Sequence, residues 1–70
     1  MKDYHIVVFY SEPDGGYIAE VPDLKYCSAF GHTPDEAVRE VQVAKDLWLE
    51  VAREDGLPIP EPSYRPAMHG

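Results

Sequence analysis

The spacing of apolar positions changes near residue 31, which divides the chain into a strand region and a helix region. From Tyr4 to Tyr10 an extended chain carries Tyr4, Ile6, Val8 and Tyr10 on one side and His5, Val7 and Phe9 on the other. A surface strand shows polar residues at alternate positions, but both of these sides are largely apolar. The pattern therefore predicts a central strand with one face under a helix and the other against a second body. SEPDGG, residues 11–16, reads as a hairpin loop. Pairing Tyr10 with Tyr17 places Val8 opposite Ala19 and Ile6 opposite Val21 on the core face. Phe9 and Val7 then lie opposite Ile18 and Glu20 on the second face. Pro22-Asp23 punctuates, and Leu24 to Phe30 resumes an extended pattern.

Past Gly31 the period becomes helical. Thr33 is a good N-cap, and Pro34 suits the first helical position, where a missing N–H has no intrahelical partner. Glu36 stands where an acid can reach back to the cap's own N–H. The helix is predicted from Pro34 to Glu54, stopped by Gly56 and Pro58. Ala37, Val41, Ala44, Trp48, Val51 and Ala52 form its core stripe, with Arg39, Gln42, Asp46, Glu50 and Arg53 opposite. Leu57 to Pro62 alternates proline with other residues and reads as an extended strap, because proline cannot donate within a central ladder. The fold class that follows is α+β: a two-layer βββα domain over residues 1–63, its antiparallel sheet covered on one face by a long helix. A brief fourth strand is expected at Tyr64 and a flexible tail over residues 64–70.

Composition narrows the function. Seventy residues make one domain whose single core is marginal, a size at which homo-oligomerisation is a common source of stability. One cysteine forms no intramolecular disulfide. No stretch reads as a membrane span or a secretion signal, so a cytoplasmic location is expected. The net charge of −7 argues against direct nucleic-acid binding and favours a basic partner or simply solubility, and with no apolar span no membrane partner is expected.

Candidate chemistry is sparse, and the sequence offers no catalytic, metal or cofactor constellation. Cys27 reads as a buried small hydrophobe, His32 as a turn residue, His5 as part of the second sheet face and His69 as part of the tail. Asp14-Gly15-Gly16 lacks the Lys-Ser/Thr of a phosphate loop, and Asp35-Glu36 suits the positive end of a helix.

Several of these parts together resemble the HicB-like antitoxin family of bacterial and archaeal toxin–antitoxin pairs. They are the strand rich in Tyr and Val, Gly16-Tyr17-Ile18-Ala19, Pro22-Asp23-Leu24, Cys27, Gly31, Thr33, Glu36-Ala37 and Pro58-Ile59-Pro60-Glu61-Pro62-Ser63, spanning residues 3–63. Family members often carry Gly just before the Cys and an acid just before the Thr, where this chain has Tyr26 and His32. Many continue into a DNA-binding domain that is absent from these 70 residues. The resemblance implies a partial ribonuclease H-like fold and an antitoxin-type module that occludes a small, basic, messenger-RNA-cleaving toxin of the HicA type. The candidate partner-binding residues are the apolar Val7, Phe9 and Ile18 and the acidic Glu20, Asp46, Glu50 and Glu54. The apolar trio suits a homodimer equally well. The alternatives are an orphan regulatory or scaffold domain and, by fold analogy, a small metal-dependent nuclease.

Overall fold

A computed structural model describes residues 3–63. The chain forms three strands, β1 (Val7–Ser11), β2 (Gly16–Glu20) and β3 (Ser28–Gly31), followed by one helix, α1 (Pro34–Asp55). The sheet is antiparallel in the order β1-β2-β3. This is the expected two-layer βββα arrangement. The register also agrees: Tyr10 faces Tyr17, Val8 faces Ala19, Phe9 faces Ile18 and Val7 faces Glu20. The expected strand at Tyr64 and tail over 64–70 lie outside the described residues.

Two strand expectations change. β2, not β1, is central, and among the described residues β1 pairs on one side only. Two-sided hydrophobicity does not require a central position: within the chain the second face of β1 is exposed, although the strand lies at the sheet's edge. The segment after Pro22 is also not extended until Ser28. Leu24 N–H donates to Val21 O at 3.0 Å, and Cys27 N–H donates to Leu24 O at 3.1 Å, folding residues 22–26 into successive turns. Val21 N–H then closes onto Cys27 O at 2.9 Å. The turns put Leu24 into the core as a plug at the sheet's end, with only 1% of its surface exposed.

Thr33 caps α1, its hydroxyl accepting from Glu36 N–H at 3.1 Å. The Glu36 carboxylate accepts from His32 N–H at 2.7 Å, one residue before the cap's own N–H. At the other end Gly56 adopts φ 69°, and Leu57 N–H reaches Ala52 O, a left-handed stop that glycine takes without strain. The core joins Ala19, Val21, Leu24 and Cys27 to Ala37 and Val41, with Trp48 and Leu49 packed at its margin. Val51, expected in the core, is exposed. Length explains this. Twenty-two helical residues span about 33 Å, whereas strands of four or five residues reach about 17 Å, so the carboxyl-terminal half of α1 overhangs the sheet.

Where α1 begins is fixed by Gly31. A Cβ there would lie 2.3 Å from Ala37 N and 2.7 Å from Ala37 Cα, so the helix rests directly on bare strand backbone. The strap after α1 is latched at its far end, where Ser63 donates its hydroxyl (2.6 Å) and N–H (3.0 Å) to the Asp23 carboxylate. The Tyr4 hydroxyl donates to Pro60 O.

Two outcomes are expected. Gly31→Ala should cost about 2–3 kcal/mol, because helix backbone cannot yield as a side chain would. Gly15→Ala, with φ +70° but open space around it, should cost about 1 kcal/mol. Equal denaturation midpoints for these two variants would refute the Gly31 contact. For the latch, the Ser63 hydrogen bonds hold the Asp23 carboxyl below its ordinary value. Its stabilising contribution is present above the ordinary carboxylate range and is lost as pH falls through the depressed value. The Ser63 amide resonance should therefore move in acid with a midpoint below that of an unperturbed carboxylate, and Asp23→Asn should remove that transition.

Candidate functional site

The alternation of β1, β2 and β3 that sends Val8, Ala19 and Ala29 toward α1 sends Val7, Phe9, Ile18 and Phe30 the other way. Phe9 faces Ile18 and Ile18 faces Phe30, so the three form one row across the sheet. Phe9 is 44% exposed, and Val7 and Phe30 are exposed beside it. The Phe30 ring lies over the bare backbone of Gly16, where a Cβ would approach Phe30 Cζ to 2.5 Å, and meets the His32 ring edge-on at 5.2 Å. Glu20 shares this face, opposite Val7 and Ser28.

Asp46, Glu50 and Glu54 are exposed at successive i,i+4 positions on α1, which covers the opposite face of the sheet. The structure thus joins Glu20 to the apolar trio and separates both from the three helical acids. Phe30 completes the row although its alternation with Ser28 made it readable; missing the turns at 22–26 hid its register.

A second surface was not anticipated. Where α1 overhangs the sheet, an open groove of about 360 Å³ runs between the helix and the β2–β3 turn. Cys27, Ala44 and Ala52 line it together with Trp48, Leu47 and Val51, and Tyr26, Ser28 and Leu57 complete its lining. The Trp48 indole N–H donates to Lys25 O at 3.0 Å and ties the turn to the helix. The signal for this surface was the pair Val43 and Leu47, apolar at i and i+4 beside the stripe and continued by Val51, which the stripe had claimed for the core.

Tyr26 stands at the groove with φ +63°, the one non-glycine residue in the left-handed region among those described. Holding a bulky side chain there costs on the order of 1 kcal/mol. The residue is 92% exposed, with Lys25 Nζ 5.8 Å from the centre of its ring. This is the position before Cys27 where glycine would be unstrained.

Cys27 is buried, and burial pushes its thiol above the ordinary value, with Lys45 opposing as a lesser influence. Such a thiol is a packing group at neutral pH rather than a nucleophile. Asp3 is held below the ordinary carboxylate value by the Tyr4 N–H and then by Lys45, whose Nζ lies 3.3 Å away. Among the described residues no three His, Cys, Asp or Glu side chains come together as a metal site would require, and no helix is long and apolar enough to cross a membrane.

UPF0150 protein ssl0259 of Synechocystis sp. is 41% identical to this chain over 54 residues, covering 77% of the chain and 74% of that protein. The chain belongs to the UPF0150 family. UPF0150 protein ssr1765 of the same organism is 35% identical over 57 residues, covering 81% of the chain and 72% of the relative. UPF0150 protein ssr1258 is 39% identical over 49 residues, covering 70% and 71%. No family model matches, and no solved structure matches this UPF0150 chain.

The thiol gives a direct check on the turn. In the folded UPF0150 domain Cys27 should react with an aromatic disulfide reagent far more slowly than in denaturant, and Trp48→Phe, which deletes the bond to Lys25 O, should accelerate the reaction. Equal rates for folded and denatured protein would show that Cys27 is not enclosed.

Proposed function

We propose that this UPF0150 domain is a HicB-like antitoxin module that neutralises a small, basic HicA-like mRNA-cleaving toxin by covering its surface. The observation that carries the reading is the exposed sheet face, where Phe9, Ile18 and Phe30 form an apolar row, with Val7 and Glu20 paired beside it, on a chain of charge −7. A toxin that binds RNA needs an exposed cationic surface. An acidic domain competes with phosphate for that surface and requires no chemistry of its own. The apolar row supplies contact area that excludes water, and Glu20 gives the contact its charge. Asp46, Glu50 and Glu54 project from the helix layer and add long-range attraction that speeds encounter. Membership of the UPF0150 family and the shared order of parts with HicB-like domains support this reading. The same row can also pair two copies of the chain.

A basic toxin encoded beside this gene should be inhibited at near-equal stoichiometry. Phe9→Glu should weaken inhibition by about 100-fold, the loss of a central anchor. Reversing Asp46, Glu50 and Glu54 together should mainly slow association, and added salt should mimic it. Full inhibition by Phe9→Glu would exclude the sheet face. A Phe9→Glu chain that turns from dimer to monomer in light scattering yet still inhibits fully would give that face to self-association. Metal-dependent RNA cleavage by the purified chain would replace the binding module with a nuclease.

A further inference from the structure

We infer that the groove beside Tyr26 is a second docking site, which takes a cationic amphipathic helix from another protein. It does not depend on the toxin reading, whose contact lies on the opposite face of the sheet and which draws on Asp46, Glu50 and Glu54 only for long-range attraction.

Three observations converge on it. First, the lining is apolar and already formed, with Trp48 fixed by its bond to Lys25 O and Leu47 58% exposed. Leu47 and Val51 line the groove at i and i+4, and exposed Val43 continues their row one turn beyond it, the spacing by which one helix receives another. Second, Tyr26 keeps a left-handed backbone and is almost fully exposed. Strain of this kind persists where the side chain has a use, and among the described residues the contact on this ring is that of Lys25 above it. Third, charge selects the occupant. Glu40, Asp46, Glu50 and Glu54 lie three or four positions from the apolar row and border it. Of the nearby bases, Lys45 is engaged by Asp3, which leaves Arg39 near one end of the row, Arg53 near the other, three positions from Glu50, and Lys25 over Tyr26. On α1 the four acids outnumber the two arginines, so a second copy of the helix would set acids mainly against acids, which opposes self-pairing here. A helix with an apolar face flanked by Lys and Arg meets both the row and its border.

The test uses two 18-residue amidated peptides that lack tryptophan. Both place leucine at i, i+4 and i+7, and one fills the remaining positions with lysine, the other with glutamate. Trp48 is the chain's single tryptophan and lines the groove, so its emission reports occupancy. The lysine peptide should shift that emission to the blue, saturably and one to one, and the glutamate peptide should not. Tyr26→Gly should keep or raise the melting temperature while weakening the lysine peptide by about tenfold. Leu47→Asp, at an exposed position, should abolish binding, and Phe9→Glu on the sheet face should leave it unchanged. Equal binding of both peptides, unweakened binding by Tyr26→Gly, or loss in Phe9→Glu with retention in Leu47→Asp would each overturn the proposal. Self-association abolished by Leu47→Asp would instead assign the groove to a second copy.

Discussion

The first turn of α1 rests on the bare backbone of Gly31, and this contact fixes the helix at one end. A helix of 22 residues pinned there and laid over strands of four and five residues must overrun them. The core follows from that mismatch. Small side chains, Ala19 and Ala37, let the layers approach over the strands, with Val41 and Val21 filling the space beside them. Beyond the sheet, the β2–β3 turn and the strap take over as the helix's neighbours. These neighbours cover Ala52 but leave Leu47 and Val51 accessible, so the groove is a product of length as much as of composition.

Residues whose chemistry is local were legible in the sequence. Thr33, Pro34, Glu36 and Gly56 each act within one helical turn and mark the ends of α1 to within a residue. The β1–β2 register was equally accessible, since the Glu12–Gly15 loop leaves one pairing that keeps Val8 and Ala19 on the same face. What local pattern could not supply was strand order. Val7 and Phe9 look the same in sequence whether a second body covers them or they stand open, and the hydrophobic alternation of β1 therefore pointed to a central position that β2 holds. The turns at Leu24–Cys27 were hidden for a related reason. Tyr26 occupies a left-handed backbone position that a glycine would have announced.

The candidate sites divide along the same line. Val7, Phe9, Ile18 and Glu20 were recognised as a group because strand alternation alone places them together. Asp46, Glu50 and Glu54 were recognised as helix surface, yet their position beside a groove depends on contacts between residues more than twenty apart in sequence, above all Trp48 with Lys25. The UPF0150 relatives add family membership without adding a role for either surface.

The Trp48 indole serves at once as a wall of the groove and as a tether for the turn that presents Tyr26. One χ1 rotation would therefore do two things: reshape the groove and release the Lys25–Tyr26 peptide from the strained conformation its hydrogen bond helps to hold. Groove and turn are thus one coupled part. The hydrogen bond that sets the wall of the groove also fixes the backbone that presents Tyr26, so the shape of this surface is held by contacts far apart in sequence.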